Sequence, residues 1–301
     1  MKAAEVDDPA RVSWPQAAAA VAGFDKDGAQ LGALVHSYLH HAPLALVLRE
    51  LNRLLAIDRL PPVRAGKVLD VGCGDGFWWT LRERHGCRVM GVDIDAAEVA
   101  QARRHIEAEV QDVARGVPFA GHAFDEIIGN CSLEHVPDLV AALGHLRASA
   151  KPSARLVMFV PSLHWALHGA TQRLLMKRAP RLGMALAGAL DGFFQHWHTY
   201  DVPTWGDLLM RSGWRLRAAH GLGNERSEFL FRLFLPQAFA GFACKQALGR
   251  YPNRALGWLP RALTRGPEAL LCWALDDPLV AADAPTAYEY MLVAEAAGGP
   301  S

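Results

Sequence analysis

The chain has 301 residues, of which 51% are hydrophobic, and its 31 Lys and Arg residues balance 31 Asp and Glu residues. This composition excludes a disordered chain, because it supplies enough apolar side chains for one large core or two small domains. The zero formal charge excludes a general nucleic-acid binder, which neutralises many phosphates across its surface. We therefore expect a globular protein that acts on small molecules and does not bind nucleic acid.

The cysteines and the N-terminus indicate the cellular compartment. No CxxC pair occurs among the dispersed cysteines Cys73, Cys87, Cys131, Cys244 and Cys272, and this is typical of reduced thiols inside the cell. The first residues, MKAAEVDDPARVSW, carry acids where a signal peptide has a basic patch and an apolar core. No apolar run approaches the ~18 residues that a membrane span needs. We therefore expect a cytoplasmic protein.

Residues 1–60 are predicted as an N-terminal helical cap, since leucines recur at helical spacing from Pro43 to Ile57. Strands and helices alternate after the Pro61-Pro62 pair. The predicted strands are Lys67–Val71, Arg88–Val92, Phe124–Gly129 and Arg155–Val160, and the predicted helices are Phe77–Arg84, Ala96 to about Glu107, and Asp138–Ala148. This alternation predicts an α/β fold with a parallel sheet whose ligands bind beyond the carboxyl ends of the strands.

The pattern changes after Pro161. Two or three helices are predicted up to about Phe194, followed by a helix at Thr204–Arg211 and a strand at Trp214–Ala218. A long, mostly helical stretch then precedes a final strand at Tyr288–Ala294. Because that strand can rejoin the sheet, residues 61–301 are predicted as one domain with helical insertions at about 162–195 and 220–286.

The glycine-rich stretch LDVGCGDGFWW, from Leu69 to Trp79, follows the first predicted strand. A dinucleotide fingerprint would have a third glycine at Phe77, and no Lys-Ser or Lys-Thr pair follows as in a P-loop. The carboxylate of Asp70 before the turn favours a cationic ligand group. About twenty residues on, Asp93 ends the second strand, where a carboxylate accepts hydrogen bonds from ribose hydroxyls. The pattern indicates a ligand with a ribose and a positive charge.

Four stretches, VLDVGCGDG, GVDID, QDVARGVPFAGHAFDEI and NCSLEHVPD, follow one another along the chain. In this order and spacing they resemble the successive motifs of class I S-adenosylmethionine-dependent methyltransferases of the broad small-molecule type. The resemblance covers roughly Gly66 to Pro161 and extends more weakly to HWHTYDVPTWGDLLMRSGW. It implies an enzyme that uses S-adenosylmethionine, and a Rossmann-like, mostly parallel sheet of seven strands with an antiparallel last strand.

The resemblance also implies which residues bind the cofactor. Asp70, Gly72, Cys73 and Gly74 would surround its methionine part, to whose amine Asn130 and Cys131 would offer backbone groups. Asp93, with Ile94 beside it, would hold the ribose. Asp112 would accept from the adenine amino group, with the backbone of Val113 beside it. In related enzymes a tyrosine before the sheet closes over the cofactor, which makes Tyr38 a further candidate; an exposed amphipathic helix is the alternative.

Methyl transfer needs a base only if the acceptor must lose a proton. The candidates are His135 in LEHVPD, for which packing is the alternative role, and His196 and His198 in HWHTY, beside Tyr200. Histidine suits this role because it titrates near neutrality. His164 and His168 are spaced for one helix face, but no third ligand accompanies them, so we predict no metal site.

Two apolar segments are purely basic. Residues 162–190 and 229–267 contain ten Lys and Arg residues and no acid. The remaining 21 Lys and Arg residues face 31 acids, which gives the rest of the chain a formal charge of −10. Such segments suit contact with anionic lipid at the inner membrane surface, or a lid over an apolar pocket with a cationic rim for a phosphate or carboxylate. A helical cap with arginines on its outer face is the plain alternative.

Together these features predict methyl transfer to a lipophilic or amphiphilic small molecule, at oxygen, nitrogen or carbon. The arrangement from PSLHWALHG to HWHTY also resembles quinone-biosynthesis methyltransferases that work at the membrane, and methyltransferases that tailor glycolipids or polyketides. An alternative of another class is a catalytically silent module that binds the cofactor and serves in interactions. The complete set of Asp70, Gly72, Gly74, Asp93 and Asp112 argues against that alternative.

Overall fold

The computed structural model of the protein describes residues 28–163, 165–166, 170–249, 251–256, 261–275 and 279–297. Four features used above lie outside the described residues: the acidic N-terminal stretch, His164, His168 and Arg250. No helix within the described residues is both long enough and apolar enough to cross a membrane.

Within the described part of the chain, eight strands form one sheet. They are β1 (Lys67–Val71), β2 (Arg88–Asp93), β3 (Glu107–Val110), β4 (Phe124–Asn130), β5 (Ala150–Pro161), β6 (Trp214–Leu222), β7 (Leu279–Ala281) and β8 (Glu289–Ala296). Their order is β3-β2-β1-β4-β5-β8-β6-β7. The first five pair in parallel, β8 is antiparallel to β5 and β6, and β7 is antiparallel to β6. The reversal of strand order between β1 and β4 creates a crevice at their carboxyl ends.

The helices are α1 (Gly28–Leu39), α2 (Leu44–Ile57), α3 (Trp78–Leu81), α4 (Ala96–Ala102), α5 (Leu139–Ser149), α6 (Ala170–Arg178), α7 (Pro180–Phe194), α8 (Val202–Arg211), α9 (Glu225–Leu248) and α10 (Arg261–Ala274). Short 3-10 turns lie at Leu133–His135 and Pro252–Leu256. α3 is shorter than predicted. It ends because Arg82 adopts an extended conformation, with its guanidinium over the rings of Trp78 and Trp79.

The predicted fold class is confirmed, since the protein has a Rossmann-like, mostly parallel sheet in which β8 is antiparallel. Two strands, β3 and β7, were not predicted individually. β3 begins at Glu107, where the predicted helix was expected to end, and α4 ends earlier, at Ala102. β3 has only four residues, EAEV, of which Ala108 alone is buried, so its pattern is too short and too weakly apolar to distinguish a strand from the end of a helix. β7 adds a three-residue edge strand to the seven that the resemblance implied.

Apolar side chains pack on both faces of the sheet. On β1, Val68 belongs to the cluster formed with α1, α2, α9 and α10, whereas Leu69 belongs to the cluster formed with α5 and α8. This alternation follows from the two-residue period of a strand. α9 packs along α2, and α10 packs along α1. The N-terminal helices and the second predicted insertion therefore cover the same face of the sheet.

Candidate active site

The glycine loop after β1 adopts a backbone conformation that favours glycine. Gly72, Gly74 and Gly76 have φ angles of 72°, 53° and 71°, in the left-handed region that residues with a Cβ rarely adopt. A Cβ on Gly72 would also overlap the Cβ of Ser132. The backbone N–H of Gly72 donates to the carbonyl of Val92 at 2.8 Å. This bond fixes the loop against the end of β2.

We expect Gly72→Ala to destabilise the protein more than Gly74→Ala. Both variants carry the left-handed backbone cost of about 1–2 kcal/mol. No atom of the described residues lies within 4 Å of a Cβ on Gly74, whereas the overlap with Ser132 adds about 1–3 kcal/mol at Gly72. Urea unfolding of the two variants measures the difference. Equal losses would show that Ser132 moves aside without cost.

Asp93 is held at the carboxyl end of β2 with both of its oxygens bonded. Oδ2 accepts from the backbone N–H of Gly74 at 2.9 Å, and Oδ1 accepts from that of Asp95 at 3.0 Å. Asp95 itself begins α4, because its side chain accepts from the backbone N–H of Ala97 at 2.7 Å. Each carboxylate oxygen of Asp93 retains a lone pair for a further donor.

Asp70 is buried beneath the loop. Its Oδ2 accepts from the indole N–H of Trp79 at 2.6 Å, while its Oδ1 has no hydrogen-bond partner among the described residues. Burial raises the pKa of Asp70 to about 7, because removal from water disfavours the charged form. A cationic group at Oδ1 would supply the missing partner and restore the carboxylate.

A cavity of about 310 Å³ lies at the carboxyl ends of β1, β2 and β4. It brings together seven of the residues predicted as cofactor-binding or catalytic: Gly72, Asp93, Ile94, Asp112, Val113, Cys131 and His135. Sequence reasoning missed the other lining residues, which are Val71, Val92, Gln111, Ser132, Val136 and Pro137. All of these except Pro137 are adjacent in sequence to a residue that was predicted, and this adjacency is their signal.

The remaining predicted residues lie beside the cavity and not in its wall. Cys73 and Gly74 belong to the glycine loop above Asp70. Tyr38 is buried in α1, where its ring contacts those of Phe77 and His41 edge-on, at centroid distances of 5.3 and 5.7 Å. Burial raises the pKa of the Tyr38 hydroxyl well above its usual value. Tyr38 therefore supports the loop from behind.

A buried ionic network, which sequence reasoning missed, joins α2 to β8. Arg49 and Arg53 both pair with Glu289, and the three side chains are at most 5% exposed. Arg53 also donates to Glu50 at 2.9 Å and to Asn130 at 3.1 Å. Although burial opposes it, the two guanidinium groups lower the pKa of Glu289 to about 2. The signal in the sequence was the presence of charges within otherwise apolar segments.

Glu134, His135 and His196 come together beside the cavity, with one oxygen or nitrogen of each within 4.8 Å of the others. Glu134 is fully buried, and neither carboxylate oxygen has a hydrogen-bond partner among the described residues. Burial raises the pKa of Glu134 to about 7 and lowers that of His196 to about 4. Nδ1 of His135 is 3.1 Å from the Gln195 carbonyl oxygen, and Nδ1 of His196 is 3.2 Å from Oδ1 of Asp191.

His198 has both ring nitrogens engaged. Its Nε2 is 2.9 Å from the carbonyl oxygen of Val136, and its Nδ1 is 2.9 Å from the hydroxyl of Tyr200. Because a carbonyl only accepts, Nε2 carries the proton and Nδ1 accepts from Tyr200. These bonds favour a structural role, in which His198 connects the HWHTY segment to the turn after β4, over the predicted role as a base.

A larger cavity, of about 720 Å³, lies between α6, α7 and α9. Its walls are mostly apolar and include Leu186, Leu190, Phe193, Leu233 and Phe239. Arg49 contacts Cys131, which lines the smaller cavity, and three rings that are next in sequence to residues lining the larger one. One of its terminal nitrogens is 3.8 Å from Sγ of Cys131. Its guanidinium carbon is 5.5 to 5.9 Å from the ring centroids of Trp165, Phe194 and Phe231.

The second predicted insertion forms hydrogen bonds and ion pairs with the glycine loop and with α4. Arg254 donates to the carboxylate of Asp75 at 2.5 Å, and His41 lies 3.0 Å from the same carboxylate. Lys245 of α9 pairs with Glu98 of α4 at 2.6 Å. Although burial raises the pKa of Asp75, its partners His41 and Arg254 hold it well below the usual range. The insertion therefore rests directly on the glycine loop and on the helix after β2.

Comparison with known proteins places this geometry in a family. A family model described as a methyltransferase domain matches residues 38–219. The chain is 32% identical over 204 residues to a malonyl-[acyl-carrier protein] O-methyltransferase of Enterobacter lignolyticus (strain SCF1), which covers 63% of this chain and 78% of that protein. It is 34% identical over 118 residues to a ubiquinone biosynthesis O-methyltransferase of Hahella chejuensis (strain KCTC 2396). This match covers 36% of this chain and 50% of that protein.

Among solved structures, geranyl diphosphate C-methyltransferase from Streptomyces coelicolor A3(2) is similar at 17% identity. The similarity covers 80% of this chain and 78% of that one, with a TM-score of 0.48. The family match extends over more than half of the sequence, and the chain belongs to the S-adenosylmethionine-dependent methyltransferases. Its cofactor is S-adenosylmethionine. The unpartnered Oδ1 of Asp70 fits this cofactor, which carries an ammonium group.

Proposed function

We propose that the protein methylates an oxygen atom of an amphiphilic small molecule, whose apolar part lies in the cavity between α6, α7 and α9. The observation that carries this proposal is the large, mostly apolar cavity, whose lining residues Ala166, Phe193 and Arg232 are next in sequence to the rings around Arg49. The names of the two relatives, both O-methyltransferases, support oxygen as the acceptor atom.

For the nucleoside part of the cofactor, we propose the contacts that the family resemblance implies. Asp93 accepts hydrogen bonds from the ribose hydroxyls through its remaining lone pairs. Asp112, whose Oδ1 is already bonded to the N–H of Ala114 at 2.9 Å, accepts from the adenine amino group. Ile94 is 76% exposed at the cavity rim, so the adenine can cover it, and Val113 lies beside the ring.

For the methionine part, Asp70 receives the ammonium group beneath the loop formed by Gly72, Cys73 and Gly74. The backbone of Asn130 and Cys131 lies opposite. The N–H of Cys131 donates to the carbonyl of Phe159 at 3.0 Å, so we assign the carbonyl group of Cys131 to the ammonium. Tyr38 contributes by supporting Phe77 of the loop and not by direct contact.

When bound, S-adenosylmethionine supplies a methyl group on a positively charged sulfur. The chain must then bring the acceptor oxygen close and in line, exclude water and remove the hydroxyl proton. Nε2 of His135 and Nε2 of His196 have no hydrogen-bond partner among the described residues, whereas both nitrogens of His198 are engaged. His135 and His196 are therefore better placed than His198 to act on that proton.

We also propose that the N-terminal cap predicted at residues 1–60, of which the structure describes 28–60, and the insertion at about 220–286 cover the cofactor. Their contacts with the glycine loop through His41 and Arg254 support this role. The insertion at about 162–195 then forms the lid over the acceptor, because α6 and α7 supply one wall of the large cavity.

A matched pair of acceptors tests the function. We expect labelled S-adenosylmethionine to methylate a phenol that bears a long alkyl chain with at least tenfold higher kcat/KM than the same phenol without the chain. Leu186→Glu, inside the large cavity, should remove this preference by placing a charge there. Leu182→Glu, one turn earlier on α7 and outside the cavity wall, should retain it. No preference in the unchanged protein, or equal effects of the two variants, would contradict the proposal.

A second proposal is peripheral contact with anionic membranes through α6 and α7. Leu174, Leu182 and Met184 are 52 to 56% exposed on these helices. They lie among the exposed basic residues Arg173, Lys177, Arg178 and Arg181. Sedimentation with vesicles containing anionic lipid tests this contact at low salt. Leu182→Glu should weaken sedimentation, and a protein that stays in the supernatant would contradict membrane contact while leaving the acceptor proposal standing.

A further inference from the structure

The cluster of Glu134, His135 and His196 has the composition of a metal site. It combines one carboxylate with two imidazoles, and one ligand atom of each lies within 4.8 Å of the others. No local pattern in the sequence indicates this cluster. Glu134 and His135 are adjacent instead of one helical turn apart, and His196 follows only after α6 and α7. The prediction that the protein has no metal site was based on His164 and His168 alone.

Both histidines are oriented as metal-ligating histidines are. Nδ1 of His135 faces the carbonyl oxygen of Gln195, and Nδ1 of His196 faces the carboxylate of Asp191. These oxygens only accept, so each Nδ1 carries the proton and each Nε2 is left with its lone pair. Metal-bound histidines are typically held in this way, with the second ring nitrogen donating to a carboxylate or a backbone carbonyl.

Glu134 supplies an independent observation. Its side chain is fully buried, and both carboxylate oxygens lack a hydrogen-bond partner among the described residues. A buried carboxylate without a partner is strongly unfavourable. Arg49 and Arg53 pair with Glu289 and donate no hydrogen bond to Glu134. The closest nitrogen of the cluster, Nε2 of His135, is 3.6 Å from Oε1 of Glu134, too far for a hydrogen bond.

We propose that Glu134, His135 and His196 bind a divalent transition metal ion such as Zn²⁺. Two imidazole nitrogens and one carboxylate oxygen form a common three-ligand set for catalytic zinc, which keeps a coordination position open for water or substrate. His135 also lines the cofactor cavity, so the open position faces the place of methyl transfer.

The role of the metal rests on the proposed function, but its binding does not. At the open position, a metal ion lowers the pKa of a bound acceptor hydroxyl. The hydroxyl proton passes to water, the acceptor oxygen forms a bond to the methyl carbon, and the bond from that carbon to sulfur breaks. S-adenosylhomocysteine leaves, and the metal ion is unchanged. In this scheme His135 and His196 act on the acceptor proton through the metal ion that they hold, and not by accepting the proton themselves.

The test uses the full-length protein stripped with a chelator, without cofactor or acceptor. Titration calorimetry with Zn²⁺ is expected to show one site per chain, and Co²⁺ is expected to give visible absorption bands of a low-coordinate site. Glu134→Gln and His196→Ala should weaken Zn²⁺ binding at least a hundredfold. His85→Asn is the matched control, because His85 pairs with Glu83 at 3.2 Å, away from the cluster, and it should leave binding unchanged.

Two results would overturn the site. They are the lack of any Zn²⁺ binding tighter than millimolar, and equal binding by the unchanged protein and Glu134→Gln. If His196→Ala does not fold, Asp191→Asn replaces it; it removes only the acceptor for Nδ1 and should weaken binding about tenfold to a hundredfold. Zn²⁺ should also raise the melting temperature, and Glu134→Gln should abolish this rise. A protein that binds Zn²⁺ but methylates no phenol would refute the proposed function and leave the metal site intact.

Discussion

Asp93→Ala is expected to abolish measurable binding of S-adenosylmethionine. The carboxylate is held by the backbone N–H groups of Gly74 and Asp95, which direct its remaining lone pairs toward the cavity. Hydrogen bonds from two ribose hydroxyls to a charged group contribute about 1.5–3 kcal/mol each, so we expect at least a hundredfold loss of affinity. Calorimetry with S-adenosylmethionine and with S-adenosylhomocysteine measures this loss.

His198→Ala serves as the control for Asp93→Ala. Its ring nitrogens bond to Val136 and Tyr200 within the protein, so cofactor affinity should stay within a few-fold of the unchanged protein. Circular dichroism and thermal unfolding establish that both variants are folded. Equal losses of affinity in the two variants would refute the role assigned to Asp93.

Glu289→Gln is expected to destabilise the protein by about 3–5 kcal/mol, because it removes the counter-ion of the buried Arg49 and one of the two carboxylates that pair with the buried Arg53. Glu295→Gln is the matched control on the same strand. Glu295 pairs with Arg217 at 2.8 Å, but these side chains are 48% and 44% exposed, and an exposed pair contributes about 0–1 kcal/mol. Urea unfolding of both variants at neutral pH makes the comparison. If both variants lost a similarly small amount of unfolding free energy, water would have to reach the ion pairs of Glu289.

The stabilisation by Glu289 should depend on pH in a defined window. Its pKa is about 2 in the folded protein against an ordinary 4.5, so the unfolded chain takes up the proton first as the pH falls. The contribution of this carboxylate is therefore complete above pH 4.5 and is lost as the pH falls toward 2. The difference in unfolding free energy between the unchanged protein and Glu289→Gln should shrink over that range. A constant difference would contradict the pairing.

The sequence predicted the parts of the fold and site that depend on local patterns. The strands from Lys67 to Val160 were recognisable because each is a short apolar run bounded by turn residues. The glycine loop and Asp93 were recognisable because a left-handed turn and a strand end restrict the residue types that fit. β3 and β7 were missed as individual strands, because short edge strands bury few side chains and leave a weak pattern.

Contacts between distant segments could not be predicted from one sequence. The pairing of Arg49 and Arg53 with Glu289 joins residues about 240 positions apart, and nothing local in either segment specifies the partner. The approach of His196 to Glu134 depends likewise on where α7 ends. Such sites are formed by topology, so a sequence pattern can name the residue types but not bring them together.

The position of β8 between β5 and β6 has a consequence for how the protein is made. Until residues 289–296 have left the ribosome, the facing edges of β5 and β6 have no strand between them, and exposed edges of this kind promote association with other chains. Until then Arg49 and Arg53 also lack Glu289 as a counter-ion. The sheet therefore closes only after β8 has been synthesised, and until then the edges of β5 and β6 remain open to association with other chains.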